Sequence, residues 1–127
     1  MNVVDSSAWL EYLANGPNAA FFAPAIEKVE ELLVPAIVLY EVARRVLQQR
    51  GEDAALQAAA LLHQGEIVAV DSALALYAAR LSLEHKLPLA DSLVYATSRL
   101  REATLWTQDA DFDALPGVRF RPKRGSK

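Results

Sequence analysis

The stretch Val3-Val4-Asp5-Ser6-Ser7-Ala8-Trp9-Leu10 decides the fold class of this chain. Val3 and Val4 are β-branched and apolar, and read as a short buried strand that begins almost at once. Ser6 or Ser7 can cap the helix that follows, whose apolar face carries Trp9, Leu10 and Leu13. An acid, Asp5, stands between the two elements.

The same alternation continues outward. Asn15-Gly16-Pro17-Asn18 ends the first helix by turn chemistry. A second helix is expected from about Ala19 to Glu31, with Pro24 bending it or marking a restart. Leu32-Leu33-Val34-Pro35 reads as the second strand, and Ala36 to Gln49 as a helix ended by Gly51. Asp53 is expected to cap a helix that ends at Gly65. Ile67-Val68-Ala69-Val70 is the third strand, and Asp71 or Ser72 caps a helix reaching His85. Pro88 suits the first turn of a helix to about Leu100. Thr104-Leu105-Trp106-Thr107 is the fourth strand, Asp109 to Leu115 a turn or short helix, and Val118-Arg119-Phe120 the last strand. Short apolar strands alternating with helices imply an α/β fold, with a short, mainly parallel sheet covered on both faces. In such sheets ligands bind beyond the carboxyl ends of the strands.

At 127 residues the chain has the length of one domain, with no internal repeat. A domain of this size buries roughly two thirds of its unfolded surface, enough for a core without staples. Cysteine is absent, which excludes disulfides and thiolate metal sites. His63 and His85 are too few for a histidine-rich metal site, so a metal held by this chain must sit mainly on oxygen, as Mg²⁺ and Mn²⁺ do. No stretch is apolar enough to span a membrane, and the first residues lack the features of a signal peptide. The expected location is the cytoplasm. Arg119, Arg121, Lys123, Arg124 and Lys127 leave only eight of the 13 basic residues in the rest of the chain, against all 16 acids. The reading is an acidic body over residues 1–120 with a basic, disordered tail over 121–127.

Four acids fall where that fold puts its sites. Asp5 follows the first strand, and Asp109 comes two residues after the fourth. Glu41 and Asp91 sit near the starts of helices. Two unit charges about 5 Å apart repel by roughly 3 kcal/mol at an effective dielectric near 20. Four carboxylates meeting there call for a cation, and a carboxylate-held metal supports phosphodiester hydrolysis. Each acid also has an ordinary reading. Asp5 could cap its helix, Glu41 could pair with Arg45, Asp91 could complement a helix dipole, and Asp109 could start a tight turn. Asp71 occupies a similar place between strand and helix and is read as a cap.

Four segments in order resemble the PIN domains, and within them the VapC-type ribonuclease toxins of toxin–antitoxin pairs. They are Val3-Val4-Asp5-Ser6-Ser7-Ala8-Trp9-Leu10, Val34-Pro35-Ala36-Ile37-Val38-Leu39-Tyr40-Glu41-Val42, Leu87-Pro88-Leu89-Ala90-Asp91-Ser92-Leu93 and Thr107-Gln108-Asp109-Ala110-Asp111-Phe112. The resemblance implies a three-layer α/β/α sandwich and a Mg²⁺- or Mn²⁺-dependent endoribonuclease. It implies an acidic quartet of Asp5, Glu41, Asp91 and Asp109, with Asp5, Asp91 and Asp109 as metal ligands and Glu41 binding through water or acting as a base. Ser7, Thr107 and Asp111 would be accessory. It further implies an RNA substrate, a homodimer, and a small antitoxin docking near Trp9, Leu10, Phe21 and Phe22. Three other functions compete with the toxin. One is a PIN nuclease that processes RNA without an antitoxin, and another is a PIN-like domain that only binds RNA or protein. The third is phosphoryl transfer through an aspartyl-phosphate on Asp5, disfavoured because no second aspartate follows two residues on.

Overall fold

β1 (Asn2–Val4) is the middle strand of a five-stranded sheet. β2 (Leu32–Pro35) pairs with it on one side and β4 (Thr104–Thr107) on the other; β3 (Glu66–Val68) lies beyond β2 and β5 (Val118–Phe120) beyond β4. All four pairings are parallel and the order is β3-β2-β1-β4-β5. This computed structural model describes residues 1–124. Gly125-Ser126-Lys127, the end of the expected tail, lies outside the described residues.

Successive side chains of a strand point to opposite faces, and Val3 and Val4 are both fully buried. All four residues of β2 are buried as well. Both faces of the sheet are therefore covered, as a parallel sheet requires. The cover consists of α1 (Ser6–Leu13), α2 (Ala19–Glu27), α3 (Ala36–Arg50), α4 (Glu52–Leu62), α5 (Ser72–His85) and α6 (Leu89–Leu100). Within it, α3 packs closely on α4 and α5 on α6. Trp9, Tyr95, Phe22 and Phe112 are the largest fully buried side chains, and Trp106 also belongs to the core.

The helix ends refine the reading from sequence. Asp5, not a serine, caps α1: its Oδ1 accepts from the Ala8 N–H at 3.1 Å. The strand stops at Val4, so Asp5 is the last extended residue and its side chain faces the open first turn. Asp71 caps α5 in the same way, its Oδ1 accepting from the Leu74 N–H at 2.9 Å. Asp53 is no cap. Gly51, at φ 87°, closes α3 and opens α4, a conformation open to glycine and strained for other residues. Asp53 falls in the first turn of α4, where its charge suits the helix dipole. Pro24 lies inside α2 without starting a new helix; α2 ends at Glu27, and a 3-10 turn follows over Val29–Glu31. β3 ends at Val68, leaving Ala69 and Val70 exposed.

The C-terminal segment is tied to the body beyond residue 120. The Arg121 N–H donates to the Thr107 carbonyl at 3.0 Å, extending the β4–β5 pairing by one residue. The Asn18 Nδ2 donates to the Pro122 carbonyl at 3.0 Å, and the Arg121 guanidinium lies 4.3 Å above the Phe21 ring. Lys123 and Arg124 are exposed.

Leu33 sits in β2 with no exposed surface, whereas Leu83 on α5 is 86% exposed. Leu33→Ala is expected to cost about 2–5 kcal/mol in urea unfolding. Leu83→Ala should stay within about 0.5 kcal/mol of the parent. Equal costs would contradict this assignment of the core.

Candidate metal centre

With every strand parallel, all carboxyl ends share one edge. The strand order reverses between β1 and β4, where an open α/β sheet leaves a crevice. β1 runs out into Asp5, and β4 into Gln108 and Asp109. The register that sets Val4 against Trp106 places Asp5 beside Thr107. α6 ends at Leu100, just before β4 starts, so its first turn, with Asp91, lies back at the carboxyl edge.

Three carboxylates meet there. Asp91, Asp109 and Asp111 each offer an oxygen within 4.8 Å of the other two. Asp91 and Asp109 are half-buried and Asp111 is exposed. The Asp111 N–H donates to the Asp109 Oδ1 at 2.9 Å, which folds the 3-10 turn Ala110–Phe112 back over the end of β4.

Asp5 adjoins this cluster and is 4% exposed. Its Oδ1 accepts from the Ser7 Oγ at 2.9 Å as well as from the Ala8 N–H. Its Oδ2 accepts from the Thr107 Oγ1 at 2.8 Å. That threonine oxygen also accepts from the Asp109 N–H at 2.9 Å, so Thr107 links Asp5 to Asp109.

Glu41 stands apart from the three-carboxylate cluster. It is half-buried in the second turn of α3, beside the buried stripe of Val38, Val42 and Val46. Among the described residues it forms no ion pair, with Arg45 or any other base. The docking candidates divide. Trp9 and Phe22 are wholly buried and offer no surface, because both fill the core between helices and sheet. Leu10 and Phe21 remain partly exposed. Gln108, unremarkable in the local pattern, is buried next to Asp109 in the chain, and Asn18 is buried against it. Their partners are 90 and 104 residues away in the chain, and no local pattern announces such a contact.

Burial raises the Asp5 carboxyl to about 6, against hydrogen bonds from Thr107, Ala8 and Ser7 that favour the charged form. Asp91 is raised further, to about 8, first by burial, then by a hydrogen bond shared with Asp111 and by the charges of Asp109, Asp111 and Asp5. No Lys or Arg among the described residues pairs with any of these acids. The site therefore carries uncompensated negative charge on oxygen donors alone, which fits a hard divalent cation such as Mg²⁺ or Mn²⁺.

A carboxyl raised in the folded state gives stability that is complete below its unfolded value and is lost as pH rises through its folded value. For Asp5 and Asp91 that window runs from 3.8 to about 6 and about 8. With EDTA present, the melting temperature should fall as pH rises across this window. Asp91→Asn should flatten the upper part of the fall and melt higher than the parent at pH 8. Parallel curves for parent and variant would contradict the crowded-carboxylate geometry.

Comparison with known proteins agrees with this architecture. The PIN domain model matches residues 3–118. A toxin–antitoxin complex from Klebsiella pneumoniae is similar at 25% identity and a TM-score of 0.76, covering 94% of this chain and 96% of the other. The sarcin–ricin-loop-cleaving toxin VapC20 of Mycobacterium tuberculosis is similar at 21% identity and a TM-score of 0.78, with 96% and 100% covered. VapBC2 from Rickettsia felis, bound to a DNA fragment from its promoter, is similar at 19% identity and a TM-score of 0.72, with 95% and 97% covered. No curated protein sequence matches. A match over nearly the full length, on a parallel sheet whose switch point gathers the acids, means that this chain belongs to the PIN-domain family.

Proposed function

We propose that this chain is a Mg²⁺- or Mn²⁺-dependent endoribonuclease and the toxin of a toxin–antitoxin pair. The observation that carries the reading is the convergence of Asp91, Asp109 and Asp111, with Asp5 alongside, at the switch point of a PIN fold. Asp5, Asp91 and Asp109 are the proposed ligands, and Asp111 is a further candidate because its oxygen joins the same cluster. A bound divalent ion would polarise a phosphoryl oxygen and acidify a water molecule. Thr107 and Ser7 donate to Asp5 and fix its direction. Asp91 holds a proton near neutrality in the free protein and gives it up when a cation arrives. Glu41, half-buried and unpaired, is assigned contact through water or the role of a base.

The partner assignment rests on the similar toxin–antitoxin complexes. Leu10 lines a groove of about 860 Å³ between α1 and the α3–α4 pair. That groove touches the acidic edge only through Ser6, Ser7 and Gln108, so it suits a docking segment better than the scissile phosphate. A homodimer has a candidate face on α5, where Leu76 and Leu83, seven residues apart, are 69% and 86% exposed.

Asp5→Asn and Asp91→Asn should abolish cleavage of a structured RNA. Asn caps a helix as well as Asp does, so Asp5→Asn keeps the α1 cap and the fold. Mn²⁺ should raise the melting temperature of the parent by mass action and that of these variants much less. Asp71→Asn, which alters only the α5 cap, should retain activity and the Mn²⁺ shift. A full Mn²⁺ shift in Asp5→Asn and Asp91→Asn would refute the assigned ligands.

Expression of the chain alone should arrest bacterial growth, and co-expression of its cognate antitoxin should restore it. Harmless accumulation of folded, Mn²⁺-binding protein would rule out the toxin role while leaving the nuclease reading standing.

A further inference from the structure

Asn18 and Gln108 tie three distant parts of the chain together beside the acids. Asn18 is 1% exposed at the start of α2 and Gln108 is 7% exposed just after β4. The Asn18 Nδ2 donates to the Gln108 Oε1 at 3.0 Å and to the Pro122 carbonyl at 3.0 Å. The Gln108 Nε2 donates to the Ser7 carbonyl at 3.4 Å. Gln108 thus sits between Thr107, which donates to Asp5, and Asp109, which belongs to the three-carboxylate cluster. On its other side it reaches the residue whose hydroxyl donates to Asp5.

This arrangement is poor as a stability device. The Asn18 Oδ1 is buried with no hydrogen-bond partner among the described residues. A buried unmet acceptor is a cost that an apolar pair of the same shape would avoid. What the pair provides is direction. Hydrogen bonds fix the amide planes, and Gln108 directly precedes Asp109 in the chain.

We propose that Asn18 and Gln108 are positioning residues for the metal centre, keying the C-terminal segment and the start of α2 to the Thr107-Gln108-Asp109 turn. The inference rests on the metal reading above. Groups that orient metal ligands without touching the metal characteristically change affinity by roughly 10–100-fold when removed.

The test separates positioning from mere support. Gln108→Met leaves the Asn18 amide with only the Pro122 carbonyl, and Asn18→Leu leaves the Gln108 Oε1 without its donor, so each should lower the melting temperature. The double variant Asn18→Leu/Gln108→Met replaces both with apolar groups of similar shape and should recover the part of that loss that comes from an unmet buried amide. Mn²⁺ affinity is then measured by titration calorimetry, with no substrate present. The double variant should bind Mn²⁺ about tenfold more weakly than the parent despite its recovered stability. Parental affinity in the double variant would overturn the positioning role and leave a structural anchor. Mn²⁺ binding by the parent with no change in the variants refutes this inference alone. Absence of Mn²⁺ binding by the parent refutes the metal reading and this inference with it.

Discussion

The buried carboxylate of Asp5 is the constraint around which the rest of this structure is arranged. A lone carboxylate taken out of water costs several kcal/mol, so it must be met by donors or by a cation. Here three donors meet it: the Ser7 hydroxyl, the Ala8 N–H and the Thr107 hydroxyl. Each belongs to a different structural task. The Ala8 bond caps α1, the Thr107 bond joins the end of β1 to the end of β4, and the Ser7 bond lies within the first turn of α1. One side chain therefore joins strand pairing, helix initiation and the acidic edge. Even so, burial outweighs these donors and the carboxyl remains raised, so the site keeps an electrostatic demand that the protein alone does not satisfy.

Topology turns that local arrangement into a cluster. A parallel sheet sends all its carboxyl ends to one edge, and the order β3-β2-β1-β4-β5 opens the crevice between β1 and β4. Asp5 and Asp109 leave those two strands as neighbours. α6 delivers Asp91 because it must return to the start of β4, and so begins at the opposite edge. The 3-10 turn then brings Asp111 back toward Asp109. No single segment encodes the cluster. It follows from where strands end and which way a helix must run.

How much of this the sequence discloses depends on the range of the interaction. Val3-Val4, Leu32 to Pro35 and Thr104 to Thr107 are legible as strands because apolar runs bounded by turn residues are local signals. Pro88 before α6 is legible for the same reason. Cap choice is less so. Asp53 reads like Asp71, but Gly51 at positive φ had already begun α4, and backbone conformation overrode side-chain preference. The closeness of Asp111 and the separateness of Glu41 depend on helix phase and the fold of a three-residue turn, which residue type does not carry. The Arg121 and Pro122 contacts escaped the charge pattern entirely, since a basic stretch looks the same whether its backbone is paired or free.

The acids also form a gradient of exposure that constrains how the site can be used. Asp5 is buried, Asp91 and Asp109 are half-buried, and Asp111 faces solvent. Negative charge of this density repels a polyanion that approaches without a counterion. On the function proposed above, a phosphodiester would come close only with a cation beside it, and the open approach is at Asp111, since Asp5 is covered by Thr107 and the first turn of α1. The carboxylates proposed as ligands would then make the metal a condition of substrate approach. Burial and the neighbouring acids raise Asp91, which favours its protonated form in the free protein and would couple cation binding to proton release.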